Sequence, residues 1–270
     1  PRVRDLGIAA ARYEDALAEA RRRSSAAPGD ADALIWVGRR TAYLGRFRDA
    51  IDIYTRGIEA HPRDARLYRH RGHRYITVRD FDRAIADLER AASLTAGRAD
   101  EIEPDGIPNA RNIPTSTLQS NIWYHLGLAH YLKGDFARAL SAYRSCMEVS
   151  KNPDMLVATS HWMYMTLRRL GRDAEAAQIL EPIRADLDVI ENGAYHRLLL
   201  MYKGDLPVDS LLSASASAAL DDVTTAYGVG NWYLYNGDRA RAEQIFERIV
   251  ATGSWAAFGA IAGEAELARR

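Results

Sequence analysis

Two successive stretches of the chain, residues 31–64 and 65–95, read ADALIWVGRRTAYLGRFRDAIDIYTRGIEAHPRD and ARLYRHRGHRYITVRDFDRAIADLERAASLT. The residues that recur 34 positions apart in them are Gly38 and Gly72, Phe47 and Phe81, and Ala50 and Ala84. A recurrence at this fixed distance indicates a repeated helix–turn–helix unit rather than one irregular globular core. Upstream, Tyr13, Ala16 and Pro28 lie 34 positions before Phe47, Ala50 and Pro62, so the repetition begins with a partial unit.

The pattern is clearest in a third unit, where Trp123-x-x-Leu126-Gly127 is followed by Ala139-x-x-x-Tyr143. This spacing resembles the tetratricopeptide repeat, and six copies of it cover nearly the whole chain. The resemblance implies an all-α fold. We expect a right-handed α-solenoid of antiparallel helix pairs with a capping helix at each end.

A break in the rhythm divides the predicted solenoid. Ala84 and its next equivalent, Ala139, are 55 residues apart, which is 21 more than one period of 34. The surplus contains three prolines and four acidic residues, a composition typical of a loop. The predicted segments of this one continuous domain are an amino-terminal half-repeat or capping helix (1–30), repeats one and two (31–95), an inserted loop rich in proline and acid (96–116), repeats three to six with a degenerate fifth (117–253), and a carboxyl-terminal capping helix (254–270).

Small residues inside a unit have a physical explanation. Gly38, Ala50 and Gly57 lie where the two helices of a pair are expected to cross, and a larger side chain would push the helices apart. Gly45 is expected to end the first helix, because glycine adopts the left-handed backbone at little cost.

The composition excludes several classes of protein. The 36 basic residues balance 36 acidic ones, so net charge does not favour binding to nucleic acid or to a membrane surface. Cys146 is the one cysteine, which excludes an intramolecular disulfide and a zinc site built from cysteines. No stretch approaches the roughly 20 apolar residues of a membrane span. We expect a soluble protein, either cytoplasmic or exported with its leader removed.

The family resemblance also implies where a partner binds. In tetratricopeptide-repeat proteins, certain positions of each first helix face a concave groove. Carried onto this sequence, the predicted groove residues are Trp36, Arg39, Tyr43, Arg66, Arg69, His70, His73, Tyr124, His125, Tyr131, His161, Trp162, Tyr195, Tyr202, Tyr227 and Asn231.

This predicted groove is basic at repeats one and two and aromatic at repeats three to six. A cationic end and an aromatic end suit a protein or peptide segment that carries acidic and apolar parts. The favoured hypothesis is therefore a non-catalytic scaffold that holds such a segment, with no cofactor.

An alternative is a module that binds a small molecule or a metal, with the 96–115 loop as a lid. The loop acids Asp100, Glu101, Glu103 and Asp105 would then fold over the basic groove. A prolonged loop inside a compact fold is uncommon and often functional. His70 and His73 have the spacing of two zinc ligands on one helix, although histidines facing a polar groove more often only form hydrogen bonds.

A third hypothesis, a hydrolase built on the histidine-rich helices, has the least support. The sequence lacks the G-x-S-x-G elbow, the phosphate-binding G-x-x-x-x-G-K-[ST] loop and the H-E-x-x-H zinc motif. Cys146 takes the small packing position of a second helix, which favours a structural role over a nucleophilic one.

Overall fold

The computed structural model describes residues 8–214 and 220–269, with side chains described for residues 10–211 and 223–269. Residues 1–7 of the predicted amino-terminal segment and Arg270 of the predicted carboxyl-terminal cap lie outside the described residues. Fourteen α-helices lie within the described ranges.

The helices follow one another in the order that the repeats predict. Their bounds are α1 Ile8–Ala26, α2 Ala31–Tyr43, α3 Phe47–Ala60, α4 Ala65–Thr77, α5 Phe81–Thr95, α6 Leu118–Lys133, α7 Phe136–Val149, α8 Pro153–Arg169, α9 Asp173–Leu180, α10 Gly193–Lys203, α11 Val208–Ala214, α12 Leu220–Tyr235, α13 Arg239–Ala251 and α14 Phe258–Ala268. The predicted all-α solenoid of helix pairs is confirmed. No strand occurs in residues 8–214 and 220–269; one isolated antiparallel bridge joins Ile102 to Thr117.

The turn between the two helices of a pair has the same form in each repeat. One residue of the turn has a positive φ, and the N–H of the next residue bonds to a carbonyl five positions back. The residues with positive φ are Gly45, Arg79, Gly134, Gly171, Gly204 and Gly237. Glycine tolerates this backbone conformation, so the arginine of the second repeat, with φ 66°, is the exception.

Helix crossing within a pair depends on the small residues that the sequence pattern marks. A Cβ atom added at Gly38 would lie 2.3 Å from the ring of Tyr54 on α3. One at Gly127 would lie 2.6 Å from the ring of Tyr143 on α7. Both tyrosines are at most 1% exposed, so each ring fills the space that the missing side chain leaves.

The first helices of successive pairs contact one another more closely than the second helices do. They therefore line the inner side of the superhelix, which we call the concave face. The last helix, α14, packs against α12 and α13, as a cap would, and it also reaches α6 across the concave face. None of the described helices is both long enough and apolar enough to cross a membrane.

Candidate functional site on the concave face

The inserted segment folds back onto α4. The carboxylate of Glu103 lies 2.9 Å from Nη2 of Arg69, and these side chains are only 11% and 8% exposed. Arg69 Nη1 donates to Nδ1 of His70 at 3.0 Å. Burial, and then the neighbouring arginines, hold the pKa of His70 well below its usual value, so its imidazole is neutral. The pair of Arg69 with Glu103 is thus the main electrostatic link between the loop and the concave face.

Three residues further on, the backbone of Gly106 lies against α2. Arg40 Nη1 donates to the Gly106 carbonyl at 2.8 Å. A Cβ atom at Gly106 would lie 1.5 Å from the hydroxyl of Tyr43 and 2.8 Å from Nη2 of Arg39. Only glycine permits this approach of backbone to side chains. Residues 103–106 therefore lie across α2 and α4 as an extended acidic peptide would.

The rest of the loop is anchored to the segment before α10. Arg111 Nη1 donates to Asp188 at 2.8 Å, and the hydroxyl of Thr115 donates to Glu191 at 2.9 Å. Glu191 lies in a turn that Asp154 holds, since this buried carboxylate accepts three backbone N–H groups from residues 190–192 at 2.7–2.9 Å. The loop consequently spans the concave face from α2 to the turn before α10.

At its base, the loop is held like a hairpin. Leu118 N–H donates to the Glu101 carbonyl at 2.8 Å, and Glu103 N–H donates to the Ser116 carbonyl at 3.1 Å. Its outer side shows large apolar side chains to solvent. These are Ile102, Ile107 and Ile113, at 70%, 57% and 50% exposure.

The carboxyl-terminal segment also crosses the concave face. The ring of Phe258 on α14 lies 5.3 Å from His73 and 5.7 Å from His125, centroid to centroid. Trp255 contacts Phe47 edge to face at 5.4 Å. A helix that the sequence marks as a cap for the last repeat thus also closes against the first repeats.

Several predicted groove residues from the aromatic half are interior side chains. Tyr131, Trp162 and Tyr227 come from α6, α8 and α12 and are at most 1% exposed. Tyr227 donates its hydroxyl hydrogen to the Tyr131 oxygen at 2.9 Å, and the rings of Trp162 and Tyr227 stack at 5.9 Å. They converge on the concave side, but the superhelix is closed there, so they meet one another rather than solvent.

The remaining predicted residues of this half are also largely covered. His161, Tyr202 and Asn231 are 0%, 9% and 0% exposed. His161 stacks on Tyr195 at 4.6 Å, and burial lowers its pKa to about 3. Its Nε2 has no hydrogen-bond partner within the described part of the chain.

A cavity of about 380 Å³ remains between the loop, α4, α6, α8, α10 and α14. The predicted site residues that line it are Arg69, His73, Tyr124, His125 and Tyr195. Phe258 and the loop residues Thr115 and Ser116 form other parts of its wall. The cavity lies in the part of the predicted groove between the inserted loop and α14.

The two histidines of this cavity are neutral, whereas Arg69 and Glu191 also line it. Burial is the main cause that lowers the pKa of His73 and His125 well below the usual value. His125 donates from Nδ1 to the Asn121 carbonyl at 2.6 Å, which leaves Nε2 as an acceptor. The hydroxyl of Tyr124 accepts from Trp162 Nε1 at 2.7 Å and lies 3.0 Å from the Tyr195 hydroxyl. The arrangement suits binding through ring contacts and hydrogen bonds.

Two arginines, one on α2 and one on α4, lack anionic partners. The guanidinium of Arg39 stacks on Trp36 at 4.5 Å, and that of Arg74 lies 5.5 Å from the Phe47 ring centroid. Neither forms a hydrogen bond or ion pair with a side chain of residues 10–211 or 223–269. By contrast, Arg66, at the rim, pairs with Asp64 at 2.7 Å. Burial lowers the pKa of Arg74 to about 10, which still leaves it charged at neutral pH.

Neither a metal centre nor a reactive thiol is evident in the described ranges. No group of three or more His, Cys, Asp or Glu side chains among residues 10–211 and 223–269 is arranged to hold a metal ion. Cys146 is fully buried, with its sulfur 3.2 Å from the Thr159 hydroxyl, and burial raises the pKa of its thiol to about 11. Such a thiol is a poor nucleophile.

Sequence reasoning did not single out three residues that matter here, which are Arg40, Gly106 and Phe258. The proline–aspartate–glycine sequence at 104–106 is a turn signal, but it does not say where the turn docks. Phe258 lies on the helix that the sequence predicts as a carboxyl-terminal cap. Its contacts with His73 and His125 depend on the curvature of the superhelix, which no local pattern encodes.

Comparison with known proteins gives the following similarities. The tetratricopeptide repeat model matches residues 120–153, which contain most of α6 and all of α7. The crystal structure of a tetratricopeptide repeat protein from Parabacteroides merdae covers 92% of this chain and 90% of its own, with 16% identity and a TM-score of 0.52. The structure of YrrB, a protein of the same repeat type described as having an unusual peptide-binding site, covers 86% and 91%, with 14% identity and a TM-score of 0.48.

One relative is similar in sequence. The BBSome complex member BBS4 from Bos taurus is 26% identical over 140 residues. The matched part is 52% of this chain and 23% of that protein. The chain therefore corresponds to less than a quarter of this relative.

Proposed function

We propose that this tetratricopeptide-repeat protein is a non-catalytic scaffold that binds an extended acidic segment of a partner protein on helices α2 and α4. The fold generally mediates protein–protein interaction through its concave surface. The bound segment would take the place that residues 103–106 of the chain itself occupy. This proposal extends the predicted basic groove of repeats one and two to one defined stretch of it.

The observation that carries the proposal is the buried pair of Arg69 with Glu103, continued by the contact of Gly106 with α2. A buried ion pair is stabilising only when both charges find good partners. The concave face supplies Arg69 to the carboxylate of such a stretch and Arg40 to the carbonyl of a glycine three residues on. A surface that recognises such a stretch within its own chain has the chemistry to recognise one in a partner.

The loop then acts as a tethered competitor. Because residues 103–106 are tethered at both ends by a short loop, their effective concentration at the groove is high, commonly in the millimolar range. A partner segment binds once it offers more contacts than residues 103–106 do, or once the loop is drawn away. The docked loop also separates the arginines beneath it from solvent and from anions that would bind them without specificity.

Removal of the loop tests this directly. Ile102 faces Thr117 across the antiparallel bridge, so residues 103–116 are replaceable by a two-residue Asn-Gly turn that leaves α5 and α6 in position. The ligand is a fluorescein-labelled peptide of residues 98–109, RADEIEPDGIPN. Fluorescence anisotropy is expected to show binding to the loop-replaced protein and at least about tenfold weaker binding to the intact protein.

Two controls define the specificity. A peptide with Glu103→Gln and Asp105→Asn should bind the loop-replaced protein weakly, and Arg69→Gln in that protein should abolish binding of the acidic peptide. Arg83→Gln changes an arginine whose side chain is 70% exposed, and it should have no effect. A loop-replaced protein that is folded by circular dichroism but binds the acidic and neutral peptides equally would overturn the proposal.

A second candidate function rests on the cavity of about 380 Å³. Its lining of aromatic rings and two neutral histidines, with Arg69 in the wall, suits a small planar molecule. Its volume lies at the lower end for ligand sites. The loop contributes Thr115 and Ser116 to the wall, which corresponds to the lid of this alternative. A set of simple aromatic carboxylates such as benzoate, tested by thermal shift, should then stabilise the intact protein. Loop replacement would abolish this binding, whereas it creates peptide binding under the first proposal.

A further inference from the structure

The charges around the docked loop do not balance. The guanidinium groups of Arg39, Arg40 and Arg69 contact or adjoin residues 103–106. Burial, and then the nearby Arg69, lower the pKa of Arg74. Opposite these arginines, the loop supplies two carboxylates, those of Glu103 and Asp105. His70 and His73 are neutral, so they neither add to this positive charge nor reduce it.

The two loop carboxylates do not form ion pairs with all of these arginines. Glu103 reaches Arg69, yet its Oε2 and the Nε of Arg69 are both buried without a hydrogen-bond partner in the described residues. Asp105 lies beyond ion-pair distance of Arg39. Burial, and then the nearby Glu191, raise the pKa of Asp105. With a single carboxylate at position 103, some N–H groups of the neighbouring arginines therefore have no acceptor on the loop.

Two arginines are left for another anion. Arg39 is 9% exposed and Arg74 is partly buried, and their contacts in the described residues are with aromatic rings. Arginine is the preferred partner of phosphate, because its planar fork matches the phosphate oxygens. A phosphorylated side chain carries a charge of about −1.5 to −2 and three acceptor oxygens, against one charge and two oxygens for a carboxylate.

We infer that the α2–α4 site is selective for an acidic protein segment that carries a phosphorylated residue at the position of Glu103. This inference rests on the proposed function and names its ligand more closely. The phosphate would accept from Arg69 in place of Glu103, and its additional charge would be balanced by Arg39 and Arg74. The protein's own Glu103 is then a weaker stand-in that a phosphorylated partner displaces.

The test compares three peptides on the loop-replaced protein. They share the sequence of residues 98–109 and carry glutamate, serine or phosphoserine at position 103. Anisotropy should show the phosphoserine peptide binding about tenfold or more tightly than the glutamate peptide, since charge-assisted bonds to phosphate are added, and the serine peptide binding least. Against the intact protein, the phosphoserine peptide should displace the loop at lower concentration than the glutamate peptide.

Variants locate the effect. Arg39→Gln and Arg74→Gln should each reduce the affinity for the phosphoserine peptide by a larger factor than the affinity for the glutamate peptide, and Arg83→Gln should change neither. Binding of inorganic phosphate and of free phosphoserine is measured as well, to distinguish a small free anion from a phosphorylated protein segment as the ligand. If either binds as tightly as the phosphopeptide, the site takes a small anion and the inference is overturned.

The outcomes separate the inference from the proposed function. Equal binding of the glutamate and phosphoserine peptides overturns the inference and leaves the proposed function standing. Binding of neither peptide overturns both. Should the loop-replaced protein fail to fold, Glu103→Gln in the full chain releases the same contact, and the same peptide comparison applies to it.

Discussion

Arg79, in the turn between α4 and α5, forms a bidentate ion pair with Glu264 on α14, with N···O distances of 2.8 and 2.7 Å. The two residues are 185 positions apart, and Arg79 also lies 4.9 Å from the Trp255 ring. Arg79 takes the left-handed backbone that glycine takes in the equivalent turns. A non-glycine residue in this strained conformation indicates a role for its side chain. Here the Arg79 side chain holds the carboxyl-terminal helix across the concave face.

Replacement of Arg79 by glycine should therefore separate backbone strain from the ion pair. Relief of the left-handed backbone, about 1 kcal/mol, offsets loss of a partly exposed pair that contributes at most about 1 kcal/mol. We expect little change in the free energy of unfolding but faster hydrogen exchange in α14. Glu264→Gln, which keeps the strain, should be the less stable variant. Unchanged exchange in α14 would contradict this role of Arg79.

The seating of α14 on α12 gives a second prediction with a matched control. A Cβ atom at Gly259 would lie 2.7 Å from the Val223 carbonyl oxygen, whereas at Gly263 the nearest atom is 3.7 Å away. Gly259→Ala should destabilise the protein by about 1–3 kcal/mol, since backbone must move. Gly263→Ala should stabilise it by up to about 1 kcal/mol through helix propensity. Urea unfolding distinguishes the two, and equal effects would show that α14 does not pack this way.

Asp154 positions the turn that anchors the far end of the loop. It is 2% exposed and accepts three backbone N–H groups. Asp154→Ala should lower the free energy of unfolding by about 3 kcal/mol, because the buried N–H groups lose their acceptor. Asp186→Ala, at a side chain 77% exposed, should change it by less than about 0.5 kcal/mol. A small effect at Asp154 would mean that water replaces the carboxylate.

Histidine burial predicts acid sensitivity. The pKa of His161 is lowered to about 3 from the usual 6.5. Between these two pH values, the unfolded chain therefore binds one more proton than the folded chain. The stability of the folded protein is unaffected by this proton above pH 6.5 and falls as the pH decreases from 6.5 towards 3. His161→Phe keeps an aromatic ring beside Tyr195 and removes the proton. The slope of unfolding free energy against pH near pH 5 should fall by about 1.4 kcal/mol per unit. An unchanged slope would show that His161 is accessible to protons when folded.

The helix pairs were predictable because their determinants are local. Gly38 and Tyr54 lie on adjacent helices, and the same relationship recurs in Gly127 with Tyr143, so one 34-residue pattern specifies both. Tyr131, Trp162 and Tyr227, three of the predicted groove residues, contact one another in the interior.

The openness of the groove was not predictable in the same way. It depends on the superhelix curvature and on contacts such as that of Phe258 with His73, which join residues far apart in sequence. The loop acids were recognised as candidates for covering the basic groove, but the choice of Glu103 over its neighbours follows from the hairpin base at Ile102 and Thr117. Register at a single bridge decides which carboxylate meets Arg69.

A double-mutant cycle between Arg69 and Glu103 tests most directly whether the loop docks on the concave face through this pair. The free energy of unfolding is measured for the native chain, Arg69→Met, Glu103→Gln and the double variant. We predict that each single change destabilises the protein and that the coupling energy is about 2 kcal/mol, because each leaves a buried group without its charged partner. A coupling energy of zero, with the two single effects simply adding, would contradict the account.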